Sequence, residues 1–120
     1  MKILVVDDSE PMRNVLIMLL KQLFDTIEID EAVHGIAAIE RHKSADYDVT
    51  FMDVSMPEMN GVEATKRILS EFPDRKIIAF SMNDDKEKIT AMFSAGAKQY
   101  LLKTDPVEKI YETVCLLVKT

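Results

Sequence analysis

Apolar residues follow two alternating rhythms along this chain. KILVVD, residues 2–7, has four consecutive apolar positions, which predicts a strand covered on both faces. After it Met12, Val15, Leu16, Leu19, Leu20 and Leu23 recur at helical spacing, with Ser9 and Pro11 as start signals. TIEIDEAV, residues 26–33, alternates apolar and acidic residues as a half-exposed edge strand does, and GIAAIERHK supplies a short helix. DVTFMD, residues 48–53, is a third strand. Asn60 with Glu63 resembles a capping box for a helix whose inner face is Val62, Thr65, Leu69 and Phe72, stopped by Pro73. KIIAFS, residues 76–81, is a fourth buried strand. Residues 84–95 carry Ile89, Met92 and Phe93 on one side of a helix that ends at Gly96. QYLL, residues 99–102, is a short fifth strand. Asp105 as N-cap and Pro106 as first helical residue open a last helix with the stripe Val107, Ile110, Tyr111, Val114, Cys115 and Val118.

Five strands alternating with five helices predict right-handed crossovers and a doubly wound α/β architecture, a parallel sheet with helices on both faces. In such sheets a ligand site lies at the carboxyl ends of the strands. A length of 120 residues fits one domain, residues 1–120, with no linker or repeat. Composition narrows the classes further. With 48% apolar and 30% charged residues the chain has the balance of a globular protein. The formal net charge of −6 and scattered Lys and Arg leave no basic stripe for direct nucleic-acid binding. The single Cys115 cannot form an internal disulfide, and the apolar stretch in MKILVVDD is too short for a signal peptide, so the expected location is cytoplasmic. No apolar run approaches the ~20 residues of a membrane span.

The strand ends carry the chemistry. Asp7 and Asp8 follow the first strand, Asp53 ends the third, Ser81 the fourth, and Lys103 follows the fifth. Any one of these alone reads as a helix cap or a solvated charge; together they converge on one rim. Like charges ~4 Å apart repel by about 4 kcal/mol at an effective dielectric near 20. Three carboxylates against one ammonium therefore either raise a carboxylate pKa or recruit a divalent cation. Oxygen donors with no neighbouring His or Cys favour a hard ion, Mg²⁺. A metal held by two acidic residues, with open positions for substrate oxygens, suits phosphoryl transfer, and an aspartate can itself be the nucleophile.

Taken together, Asp7-Asp8, DVSMPEMNG from Asp53, Ser81 and YLLK ending at Lys103 resemble the receiver domain of bacterial two-component response regulators along the whole chain. That resemblance brings with it a flavodoxin-like (βα)5 fold with strand order 2-1-3-4-5, placing Asp53 at the middle of the sheet. It implies that Asp53 is phosphorylated by a histidine kinase or phosphotransfer protein. Mg²⁺ would be bound by Asp8, Asp53 and the backbone carbonyl of Ser55, with Asp7 acting through a metal-bound water. Ser81 and Lys103 would contact the phosphoryl group, and Tyr100 matches the family's aromatic switch position. Ser55 and Asn83 fall where the family tunes self-dephosphorylation, and Met82 stands where a small residue is commoner. The implied output is a changed surface on the fourth helix, fifth strand and fifth helix, acting on a partner or output domain, with room for phosphorylation-dependent homodimerisation.

FSMNDD and GAKQYLLK are closest to receivers of LuxR-type regulators. Where many receivers place proline after the lysine, this chain has Thr104, and without proline a cis peptide costs ~2.5–4 kcal/mol. Met56, Met59 and Met82 are expected to ring the pocket mouth, His34 and His42 to lie on the surface, and Cys115 in the core. Three other classes compete. A phosphatase of haloacid dehalogenase type wants Asp-x-Asp after the first strand and a cap insertion, whereas this chain has Asp7-Asp8-Ser9 and no room for a cap. A flavodoxin wants a Ser/Thr/Gly-rich phosphate loop where Asp7-Asp8-Ser9-Glu10 would repel phosphate. A degenerate receiver, working without phosphorylation, would have no use for the intact acidic set with Ser81 and Lys103.

Overall fold

The computed structural model describes residues 1–119. Its elements run β1 (Lys2–Val6), α1 (Glu10–Leu23), β2 (Glu28–Ala32), α2 (Gly35–Ser44), β3 (Val49–Met52), α3 (Gly61–Glu71), β4 (Ile77–Ser81), α4 (Lys86–Ala95), β5 (Gln99–Leu102) and α5 (Val107–Val118). The five strands form one sheet in the order β2-β1-β3-β4-β5, every pairing parallel. Successive side chains of a strand point to opposite faces, so each inner strand feeds two cores. Ile3, Val5, Val49, Phe51, Ile78 and Phe80 face Leu16 and Leu20 of α1 and Ile110, Val114 and Leu117 of α5. Leu4, Val6, Met52 and Ala79 face Ala38 of α2, Ala64 and Ile68 of α3 and Met92 of α4. β1, β3 and β4 are thus mostly apolar, because both of their faces are covered, with Thr50 and Ser81 as buried polar exceptions. β2, at the edge, keeps acidic residues in an exposed pattern that discourages further strand pairing.

Several local expectations need correction. His42 is buried, not on the surface: Arg75 Nε donates to its Nδ1 at 3.1 Å, and its Nε2 faces the Thr50 hydroxyl at 2.9 Å. Tyr47 meets the ring edge-on and Phe72 stacks against it, so aromatic neighbours make an imidazole an acceptable core residue. Burial, and then the Arg75 charge, hold it down at about 4. His34 is half-buried and caps α2, its Nδ1 accepting from the Ala37 N–H at 3.0 Å. On α1 the buried face is Arg13, Leu16 and Leu20, with Val15 exposed. On α5, Tyr111 and Val118 lie outside, while Thr113 and Leu117 are buried. Asp105 does not cap α5: its carboxylate turns back to accept the Leu102 N–H at 2.8 Å, leaving Pro106 at the cap. Cys115 is half-buried on an apolar groove with Met1, Phe24 and Val118.

Candidate functional site

β1 and β3 pair with Val6 opposite Met52, so the residues that follow, Asp7 and Asp53, emerge side by side at the carboxyl end of the sheet. The Asp53 N–H donates to the Val6 carbonyl at 2.9 Å, which extends the ladder to Asp53. β4 and β5 end together as well, and the Lys103 N–H donates to the Ser81 carbonyl at 2.8 Å. The sheet's register therefore assembles the site: four strand ends, each carrying its polar residue, on one rim.

Carboxylate oxygens of Asp7, Asp8 and Asp53 lie within 4.8 Å of one another. Asp7 and Asp53 are buried and Asp8 is exposed, so the cluster has a dry floor and an open side. Lys103 reaches in from β5 with a buried side chain. Its Nζ donates to Asp7 Oδ2 at 2.7 Å and lies 3.6 Å from Asp53 Oδ1. One ammonium cannot neutralise three carboxylates. Burial first, and then the Asp7 charge, push the Asp53 carboxyl up to about 7, against Lys103 and the Ser55 N–H, which favour its ionised form. The donors are all oxygen, with charge still to be balanced, and this set fits a hard divalent cation.

The other members stand around this centre. The Ser81 hydroxyl is buried and accepts the Asn83 N–H at 3.1 Å. Tyr100, half-buried on β5, donates its hydroxyl to the Asn83 carbonyl at 2.8 Å. Ser81 and Tyr100 thus hold the two sides of one residue. Ser55 is exposed on the β3–α3 loop, and Lys88 of α4 donates to its hydroxyl at 3.0 Å. Met82 is 60% exposed at the rim. Met56 and Met59 are not at the mouth: Met56 is buried in the core, and Met59 packs over Gly35 at the start of α2. The Lys103-Thr104 peptide is trans, as is every other bond among the described residues.

Two contributors escaped the sequence reading. Arg13, buried on α1, donates Nη1 to the Asp7 carbonyl at 2.8 Å and Nε to Glu31 at 3.0 Å, clamping the β1–α1 turn that presents Asp8. A charge one turn before Leu16 and two before Leu20, on the face those leucines bury, was the available signal. Lys88 gave none, because its role depends on how α4 packs beside the loop.

The model of the response regulator receiver domain family matches residues 3–115. This chain belongs to that family. Among its relatives, the oxygen regulatory protein NreC of Staphylococcus carnosus is 36% identical over 115 residues, which cover 95% of this chain and 53% of NreC. The chemotaxis protein CheY of Thermotoga maritima is 33% identical over 116 residues, covering 94% of this chain and 93% of CheY. Among solved structures, the Vibrio cholerae chemotaxis protein CheY4 superposes with a TM-score of 0.86 at 28% identity, over 97% of each chain. The receiver thus has relatives of both kinds, LuxR-type regulators and chemotaxis proteins. It spans about half the length of the first regulators it matches. Receiver domains are phosphoacceptors of two-component systems. Among the described residues of this receiver, no helix is long and apolar enough to cross a membrane.

Proposed function

We propose that residues 1–120 form one receiver domain that accepts a phosphoryl group on Asp53 from a histidine kinase or a phosphotransfer protein in the cytoplasm, and later releases it by self-dephosphorylation. The observation that carries this reading is the convergence of three carboxylates and one buried ammonium at the strand ends. Asp8, Asp53 and the Ser55 carbonyl would hold Mg²⁺, with Asp7 acting through a water. When bound, Mg²⁺ supplies positive charge to balance the phosphoryl oxygens.

The chain's own residues account for the rest. The Asp53 carboxylate is the nucleophile, and the Ser55 N–H holds it in place. Lys103, already 3.6 Å from Asp53, needs only a small shift to meet a phosphoryl oxygen. Ser81 would turn its hydroxyl from the Asn83 N–H to the phosphoryl group. Tyr100, bound to the carbonyl of the same Asn83, would lose that anchor and move its ring into the space Ser81 leaves. The α4-β5-α5 surface would then change, and with it contact to an output domain, a separate effector or a second copy. Ser55, Met82 and Asn83 line the approach and would set how long the phosphoryl group survives.

Incubation with phosphoramidate should add the mass of one phosphoryl group with Mg²⁺ and far less without it, and Asp53→Asn should abolish the gain. A gain of equal size in Asp53→Asn would refute the assignment of the acceptor. Fluoroberyllate in place of phosphate should shift the NMR signals of the Tyr100 ring; an unmoved ring would refute the switch.

A further inference from the structure

Beside the acidic pocket, between the β3–α3 loop and α4, lies a cleft of about 220 Å³. Val54, Ser55, Asn60, Glu87 and Lys88 contribute to its walls. Its neighbour on the chain is Asp53, and Ser55, whose N–H holds the Asp53 carboxylate, forms part of its rim. The half-buried Lys88 turns its ammonium onto the Ser55 hydroxyl at 3.0 Å, so a positive charge sits on the loop residue two positions beyond Asp53. Nothing in the phosphoacceptor chemistry above uses this lysine.

We propose that Lys88 is a specificity-determining residue that selects small phosphodonors with an anionic leaving group, the acyl phosphates. The inference rests on Asp53 being the phosphoacceptor. In the transfer an Asp53 carboxylate oxygen forms a bond to phosphorus while the bond from phosphorus to the donor's leaving atom breaks. With acetyl phosphate that atom is the bridging oxygen, which departs with the electron pair as acetate, so negative charge grows on the side away from Asp53. An ammonium there stabilises the charge as it forms. Phosphoramidate reacts as a zwitterion whose nitrogen is already protonated; the breaking P–N bond returns its pair to nitrogen and neutral ammonia leaves. Lys88 gives that departure no help and repels the protonated nitrogen on approach. The exposed Glu87 carboxylate on the same cleft has the opposite influence.

The test compares initial phosphorylation rates with acetyl phosphate and phosphoramidate in Mg²⁺, read by mass, and expresses them as a ratio. Lys88→Met should lower the ratio by about fivefold, the effect expected of one charge at partly solvated range. Lys88→Arg should hold it, and Glu87→Gln should raise it. Added NaCl should narrow the difference between wild type and Lys88→Met, because the charge acts through a solvated cleft. Should Lys88→Met fail to fold, Glu87→Gln and the salt series carry the test. A ratio that stays within error in every variant overturns the proposal while leaving Asp53 as acceptor. Failure of both donors to label the wild type overturns the acceptor assignment itself and the present inference with it.

Discussion

Thr65 shows how a single residue can work against the fold that contains it. It sits on the inner face of α3, fully buried, and among the described residues its hydroxyl alone is a buried side-chain polar atom without a hydrogen-bond partner. A buried unpaired hydroxyl costs about 1–3 kcal/mol. Valine has the same branched shape and no polar atom, so Thr65→Val should stabilise the protein by about 1 kcal/mol. Urea unfolding would show this as a higher midpoint with an unchanged slope. Destabilisation instead would mean that the hydroxyl is satisfied, by water for instance. Thr50, equally buried, contrasts with it: its hydroxyl is engaged by His42, and the same substitution there should cost stability rather than add it.

Among the elements, α3 is the one whose start is most tightly tied to the site. Asn60 caps it, its side chain accepting the Glu63 N–H at 3.0 Å, and the Gly61 N–H donates to the Val54 carbonyl. A Cβ at Gly61 would lie 2.2 Å from the Asp53 carbonyl oxygen and 2.9 Å from Val54 Cα. Helix propensity favours alanine over glycine by about 1 kcal/mol, yet both opposing atoms are backbone and cannot rotate aside. The clash wins: Gly61→Ala should cost about 2–4 kcal/mol and slow phosphorylation by displacing Asp53. Asn60→Ala, which removes only the cap, should cost about 1 kcal/mol. Urea unfolding together with phosphoramidate labelling separates the two; equal small losses would refute the packing argument. Helix starts of this kind were readable in the sequence because Ser9 and Asn60 cap locally. The largely apolar inner strands were readable for the same local reason, and so were the polar residues at their ends. What escaped depended on distant partners. His42 looked polar and exposed until Arg75, 33 positions later, supplied its hydrogen bond. Arg13 went unremarked because its partners, Glu31 and the Asp7 carbonyl, come together with it only in the fold. Asp105 is the exception: the competitor for its carboxylate was local, the Leu102 N–H three positions back. The strand order itself came from likeness to a family, since alternating strands and helices fit several windings equally well.

For the whole molecule, β3 connects two ionisable groups with opposite demands. At its start Thr50 meets His42, held down at about 4; just past its end stands Asp53, pushed up to about 7. Between pH 4 and 6.5 the unfolded chain protonates its histidine more than the native state does, so the His42 contribution to stability is lost as pH falls. Across nearly the same window the native state holds a proton on Asp53 that the unfolded chain has released, so the Asp53 contribution runs the other way and stability is lost as pH rises. Over its window the His42 shift is worth about 3 kcal/mol and the Asp53 shift about 4 kcal/mol. The two slopes largely cancel, and wild-type stability in urea should be nearly flat from pH 4.5 to 6.5. Asp53→Asn removes one slope and should leave a protein that weakens steadily on acidification. His42→Gln removes the other and should leave one that weakens towards neutral pH, whatever the fixed cost of losing the ring. If Asp53 holds Mg²⁺ as proposed, the cation separates the ends further, since a carboxylate binds it in the ionised form. Added Mg²⁺ should therefore stabilise wild type more at pH 8 than at pH 6, and should stabilise Asp53→Asn less at either. A pH series of urea midpoints on the three proteins, each with and without Mg²⁺, checks the whole scheme. Parallel curves for wild type and Asp53→Asn would show that Asp53 titrates in the ordinary carboxylate range and that the pocket's charges are balanced without a cation.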